Sequence, residues 1–322
     1  MKLSVIIVSW NVKGDLIRCL ASLYKNPPSD TFEVIVVDNA SADGTIDAVK
    51  TDFSDVVTVV NSENRGFAAA NNQGVQKSQG EYIIFLNPDT LVHPDSLDVL
   101  VAFMDNNQDV GVCGPTLFNE NGTIQPSTRR FPTFRAALYR HTIFRSIGIF
   151  RKQYRRWLMK DFSHDEQMDV DQLMGACLLV RKSVLEEVGA LDEDFFMYYE
   201  EVDLCFRIKC AGYRVVFVPE AAIVHLGGRS AAQVPVRKRI AAMTSLLKFF
   251  KKHYGGFPTG LFACLFKPAI ALKDVMNIVV SSVTYVFSAA VSNRKRCEKC
   301  SKEIKNSVQL LAKYSWLSLF KV

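Results

Sequence analysis

A chain of 322 residues with 48% apolar and 22% charged content can bury a sizeable core and is too apolar to be disordered. Its net charge of +6 is modest but unevenly spread. Eight scattered cysteines, several inside apolar runs (Cys113, Cys177, Cys264), exclude a secreted disulfide framework and point to reduced, buried thiols of a cytosolic chain. Cys297 and Cys300 have no second pair at zinc-finger spacing, which argues against a metal site there.

The first hundred residues alternate strand and helix patterns. Leu3–Val8 is a short apolar run that passes straight into polar residues, so it reads as a buried first strand and not as a signal peptide. Leu16, Leu20 and Leu23 follow at helical spacing. Phe32–Val37 is the next strand and ends at Asp38-Asn39; a short helix leads to a strand at Val56–Val60. Asn64-Arg65-Gly66-Phe67 opens an Ala-rich helix that Gly80 closes. Tyr82–Leu86 is an unbroken apolar run, a strand buried on both faces, stopped by Asn87-Pro88-Asp89. Repeated βα units of this length imply a mostly parallel sheet with right-handed crossovers. Asp38 and Asp89 then sit just past two buried strands, where the loops of an open α/β sheet line one crevice. Caps and turns are the plain alternative for such residues. Asp43 is read that way, whereas Asp38 and Asp89 together are read as a site.

Val110–Cys113 is a further strand, and Asn119–Gly122 a hairpin turn. From Asn121 to Lys160 there is no acidic residue, while ten Arg and Lys side chains alternate with aromatic residues from Phe131 to Trp157. A solvated face would account for the charge. Unbalanced basic charge with aromatic company suits an anionic surface better, a phospholipid leaflet or a pyrophosphate-bearing substrate. No nucleic-acid-binding module accompanies it, so nucleic acid is not an expected partner.

Order returns after Val170. Leu173–Val180 reads as one strand, with Gly175 near its start suggesting close approach of backbone or ligand. A helix follows the aromatic run Phe195–Tyr199 and places Glu200, Glu201 and Asp203 in its first turn, where the helix dipole alone would favour acids. Aromatic walls would also desolvate a carboxylate and suit it to general-base work. Arg214–Val218 and Ala221–Val224 read as strands, and His225 precedes Gly227-Gly228; it is a candidate metal or phosphate contact.

Beyond Ser230 the character changes. Ile240–Tyr254 is a basic amphipathic helix ended by Gly255-Gly256. Leu261–Val291 is strongly apolar but interrupted by Lys267, Pro268, Lys273 and Asp274; its cleanest piece, Val275–Val291, is at the lower limit for spanning a bilayer. The tail is expected to be helical and to lie at the cytoplasmic leaflet, with one span, or a buried helical appendage, as alternatives.

The strings Ser4–Asn11, Val36–Thr45, Asn64–Asn72, Phe85–Thr90 and Phe195–Arg207, with His225, resemble the family 2 glycosyltransferases, and within them the rhamnosyltransferase-like branch. The resemblance covers roughly residues 1–230. It implies a GT-A fold: an α/β domain with a Rossmann-like, mostly parallel sheet flanked by helices. Residues 1–115 would be the nucleotide-binding half and 116–230 the acceptor-binding half; 231–322, outside the resemblance, is expected from its own apolar and basic pattern to be a membrane-associating helical extension. The resemblance also implies inverting transfer from a nucleotide sugar with Mg²⁺ or Mn²⁺. Joined to the basic aromatic stretch and the apolar tail, it leads to the expectation of a dTDP- or UDP-sugar donor, a lipid-linked saccharide acceptor and a peripheral protein of the cytoplasmic membrane face.

Carried over by position, Asp38 would hold the nucleoside, with Ser9 near it and Arg65 toward the nucleotide; Asn11, Asn71 and Asn87 complete that set. Asn87-Pro88-Asp89 stands where the family has an Asp-x-Asp motif, so Asp89 would be the metal carboxylate, with His225 at the metal or diphosphate. The family's base is the second acid of a Glu-Asp pair. Here the pair is Glu200-Glu201, which orders the candidates Glu201, Asp203, Glu200. Nucleotidyl transfer lacks support, because no Gly-rich, Lys-bearing loop follows the first strand. A nucleotide-sugar-binding or scaffold protein without catalysis is the competing class, motivated by Glu201.

Overall fold

The structure, a computed structural model, describes residues 1–228 and 233–316. In chain order the elements begin with β1 (Leu3–Ser9), α1 (Lys13–Lys25), β2 (Phe32–Asp38), α2 (Thr45–Asp52), β3 (Val57–Val60), α3 (Phe67–Lys77), β4 (Tyr82–Leu86), β5 (Thr90–Val92) and α4 (Ser96–Asn106). There follow β6 (Val110–Phe118), β7 (Ile124–Gln125), β8 (Thr128–Arg129), α5 (Phe134–His141) and α6 (Arg151–Trp157). Next come β9 (Met168–Asp169), β10 (Gln172–Leu173), β11 (Cys177–Arg181), α7 (Lys182–Val188), α8 (Glu200–Cys210) and β12 (Arg214–His225). Three helices end the described chain: α9 (Pro235–Tyr254), α10 (Gly256–Ala290) and α11 (Arg294–Trp316).

The main sheet runs β3-β2-β1-β4-β11-β6-β12-β5. Its first four strands are parallel, as continuous apolar runs joined by helices require. β11 enters antiparallel between β4 and β6. Alternate side chains feed two cores: Leu3, Val5 and Ile7 meet Leu16, Leu20 and Leu23 of α1 on one face. On the other, Ile6, Ile83 and Phe85 belong to a cluster with Leu204 and Ile208 of α8.

Three sequence expectations change. The run 173–180 is not one strand: β10 pairs β8 and β11 pairs β4, and the chain breaks between them at Met174–Ala176. Conversely, the two strands expected from Arg214 to Val224 are one, β12, with a register shift between Val218 and Ala222 that absorbs Pro219. The interrupted apolar tail is a single 35-residue helix that accommodates Pro268.

The chain divides into two compact units, residues 1–131 with 158–233, and residues 132–157 with 234–322. The expected boundary at residue 230 lies outside the described residues, and the segment 132–157 does not belong with the sheet. Its Phe134 packs on Phe250 and Phe262 (ring centroids 4.5 and 4.8 Å), and the Tyr254 hydroxyl donates to the Pro132 carbonyl. The aromatic residues of the basic stretch are therefore packing partners. Tyr154 lies against Tyr139 and Trp157, and Arg140 covers the Trp157 ring. Cys264, expected in a core, is exposed.

Candidate active site

Because β1, β2 and β4 are parallel and in register, their carboxyl ends deliver side chains to one sheet edge. Ser9 and Asp38 are direct register partners and both buried. One Asp38 oxygen accepts from the Ser41 N–H (2.8 Å); the other, like the Ser9 hydroxyl, is buried without a hydrogen-bond partner. Two adjacent buried polar atoms in that state are costly unless a ligand meets them.

Beyond β4, the Thr90 hydroxyl donates to the Asn87 carbonyl (2.7 Å) and closes the Asn-Pro-Asp turn. The chain then reverses into β5, which pairs antiparallel with the end of β12 so that Thr90 faces His225. The Leu226 N–H donates to the Asp89 carbonyl (2.9 Å). Sheet pairing alone thus brings together two side chains 136 positions apart: His225 Nε2 lies 3.4 Å from Asp89 Oδ1, both groups buried.

The tautomer of His225 is set by a residue that sequence reasoning missed. Gln125, on the β6–β7 hairpin, donates its amide N–H to Asn119 Oδ1 (2.9 Å) and the His225 carbonyl (3.3 Å). Its amide oxygen is left to accept from His225 Nδ1–H (2.7 Å). In the neutral ring the lone pair is then on Nε2, which is buried with no hydrogen-bond partner and faces a carboxylate oxygen. Two electron-pair donors at that separation, with the outer nitrogen oriented by an amide, fit a hard cation. Among the described residues no cluster of three His, Cys, Asp or Glu side chains could hold a metal. A cation held by this pair would need its remaining ligands from outside these side chains.

The acidic helix start is built differently. Tyr198 and Tyr199 both have left-handed backbones (φ 68° and 72°), a strained arrangement for two successive non-glycine residues. The strain is held by a loop-to-loop clamp. The Phe67 N–H donates to the Phe196 carbonyl (2.8 Å), and a Cβ at Gly66 (φ 89°) would lie 2.6 Å from that oxygen, so only glycine fits. Asn39 extends the clamp by donating to the Gly66 carbonyl (3.0 Å), and Asn72 does so by bonding both backbone groups of Leu191. Neither was singled out from sequence; both lie inside motifs whose internal division of labour only the fold reveals.

The three acids there have different fates. Asp203 is fully buried and accepts from Arg207 Nε (2.7 Å), while that guanidinium also donates to the carbonyls of Val188, Gly189 and Ala190. Its carboxylate anchors α8, which counts against it as a base. Burial, and then the Glu201 charge beside it, push the Glu200 carboxyl well above the usual range. Glu201 is half-buried and lies against Gly175, whose Cβ would meet its Cβ at 3.4 Å. The neighbouring Ala176 carbonyl accepts from the Asn87 N–H (2.9 Å). One backbone hydrogen bond thus links the Glu201 wall to the turn that carries Asp89. The approach read from Gly175 is that of a side chain.

Other expected residues divide. Asn11 (φ 51°) ties the loop after β1 to the loop after β2, accepting from the Ala42 N–H (2.8 Å). Asn71 donates to Phe67 four residues back in its own helix (2.9 Å). Both look inward to structure. Arg65 is exposed, and Asn87 half-buried at the edge of the turn. Asp43 accepts from the Lys13 and Thr45 N–H groups and serves the turn before α2, whose N-cap is Gly44.

An open α/β sheet with carboxylates at the carboxyl ends of β2 and β4 and an acidic helix start is the architecture of a nucleotide-sugar transferase of the GT-A type. Residues 4–189 match the model of the family described as glycosyl transferase family 2, and the chain belongs to that family. It is 29% identical, over 86% of its length and 92% of the relative, to the N-acetylglucosaminyl-diphospho-decaprenol L-rhamnosyltransferase of Mycobacterium tuberculosis. It is 28% identical, over 50% of its length and 60% of the relative, to the rhamnosyltransferase WbbL of Escherichia coli. Among solved structures it resembles the mannosyltransferase PcManGT of Pyrobaculum calidifontis in complex with GDP-Man and Mn²⁺. The TM-score is 0.57 at 17% identity, covering 98% of this chain and 87% of that one.

Proposed function

We propose that this glycosyltransferase moves a deoxyhexose such as rhamnose, with inversion, from a dTDP- or UDP-linked donor to a lipid-linked saccharide acceptor in cell-surface glycan synthesis. It would act at the cytoplasmic face of a membrane. The names of the two bacterial relatives support the sugar and the lipid carrier. The observation that carries the reading is the pairing of Asp89 with an His225 nitrogen whose lone pair is fixed by Gln125.

Asp89 and His225 would hold Mg²⁺ or Mn²⁺, which offsets the negative charge gathering on a departing diphosphate. Asp38 Oδ1 and Ser9 Oγ, the orphaned buried atoms, receive the polar edge of the nucleoside, with Arg65 toward its phosphates. Glu201 takes the proton of the acceptor hydroxyl as that oxygen bonds the anomeric carbon and the bond to the diphosphate breaks on the opposite face. Burial disfavours the charged form of Glu200 that a base needs, and Asp203 is committed to Arg207.

The test is release of nucleoside diphosphate from a panel of dTDP-, UDP- and GDP-sugars, with and without chelator. Turnover of one donor class that chelator abolishes and Mg²⁺ or Mn²⁺ restores is expected. Donor binding without turnover under every metal condition would replace the reading with that of a nucleotide-sugar-binding protein.

A further inference from the structure

The two units carry opposite charge. Residues 132–157 and 234–322 hold 23 Lys and Arg against three acidic residues, whereas the remainder of the chain holds 16 against 30. The basic unit also exposes an apolar face. On α10, Leu261, Leu265, Leu272, Val279, Val283 and Val286 are each about half exposed or more. At 100° per residue they fall within about 60° of one another, along a helix about 50 Å long. The charged residues of α10, Lys267, Lys273 and Asp274, lie off that stripe. Its opposite side is the packed one: Phe266, Ile270, Asp274, Ser281 and Ser288 are buried.

By length and composition α10 could cross a bilayer. Its polar ties oppose that. Asp274 is paired with Arg239 of α9 (2.6 Å), and Ser281 donates to Glu303 of α11 (3.0 Å). α11 folds back along α10, with Cys297 reaching the Tyr285 carbonyl, and carries seven basic and two acidic residues between Arg294 and Trp316. A spanning α10 would drag those charges into hydrocarbon, where nothing solvates them.

We infer that α10 lies in the plane of an anionic phospholipid surface. Its apolar stripe sits at the boundary between headgroups and acyl chains, and α11 stays on the aqueous side. The stripe supplies buried apolar area, and the 23 basic residues of the unit supply attraction to acidic headgroups; interfacial binding needs both. Nucleic acid would answer the charge but leaves the uncharged stripe unexplained. The inference gives the membrane-borne acceptor of the proposed function a docking mode, and it rests on that reading only for its purpose.

The experiment is flotation of the full chain with vesicles of phosphatidylcholine alone or with one-third phosphatidylglycerol. Val279→Asp/Val283→Asp serves as the variant, and Val279→Ser/Val283→Ser as its milder control. Binding to the acidic vesicles, weakened by salt and released by alkaline carbonate, is expected. The Asp pair should lose at least tenfold, the Ser pair less, with melting temperature and nucleoside diphosphate release to a soluble acceptor unchanged. Carbonate-resistant binding would show a span and overturn the in-plane mode. Equal binding by the parent and the Asp variant would overturn the role of the stripe. A lipid-free dimer that the Asp pair dissolves, with no vesicle binding by the parent, would assign the stripe to a second copy instead. Failure of turnover with intact flotation would strike the proposed chemistry and leave this inference standing.

Discussion

The corner that holds Asp89 and the turn that holds Glu201 both present carboxylates at one end of the sheet, yet they are made in opposite ways. Asp89 is placed by regular structure: β4 stops at a proline, β5 pairs with β12, and His225 arrives through the ladder without strain. Glu201 is placed by irregular structure, two left-handed tyrosines clamped by Gly66 and Asn39 before α8 begins. A group proposed to hold a cation in fixed geometry would profit from a rigid ladder. A group that must meet a varying acceptor can sit on a strained turn. The contrast predicts that changes at the first corner abolish metal-dependent chemistry, whereas changes at the second divide between catalysis and stability according to which acid is altered.

The largest effect is expected for Asp89→Ala, a loss of at least about 10³-fold in kcat/KM, since a cation held there, as proposed, would contribute several kcal/mol at the transition state. Initial rates at saturating Mn²⁺ check it. Glu201→Gln is expected to lower kcat by about 10³-fold while leaving donor affinity unchanged; an unchanged kcat would remove Glu201 as the base and leave the metal corner untouched. Gln125→Ala frees the His225 tautomer and should weaken metal affinity by about 10- to 100-fold with little change in melting temperature.

Asp203→Asn reads the structural side of the turn. It leaves the Arg207 guanidinium without its buried partner and should cost about 3 kcal/mol of stability, with kcat per folded molecule within a few-fold of the parent. The smallest effect concerns Glu200. Its folded pKa is raised above the unfolded value near 4.5, so its contribution to stability is fully present below that pH and fades as pH climbs through the raised value. Glu200→Gln should therefore melt higher than the parent at pH 8, by a few degrees, and no higher at pH 4. A parallel pair of melting curves across that range would show that the carboxyl is not buried as described.

The sequence was legible where one local signal settled the matter. Apolar runs leading to Asp38 and Asp89 place the first at the end of a parallel strand and the second just past one, because only a doubly covered strand tolerates such a run. The acids of the first turn of α8 are equally plain. What depended on long-range pairing was not legible. Gln125 reaches His225 only because a hairpin at the end of β6 lies beside the end of β12, and no spacing announces that. The spacing of Asp203 and Arg207, i and i+4, is visible in the chain, but a surface pair and a buried anchor look alike until burial is known. In the basic unit the charge of 132–157 could be read directly. Its partner could not, since the aromatic residues pack against helices that begin a hundred positions later.

The most direct measurement is titration of Mn²⁺ into the full chain in the presence of a nucleoside diphosphate, comparing parent with Asp89→Asn. One bound ion in the parent, with affinity weakened at least about 100-fold in the variant at unchanged melting temperature, is the predicted result. Equal Mn²⁺ affinity in both proteins would show that the cation, if the enzyme uses one, is held elsewhere and that the Asp89–His225 corner is not its site.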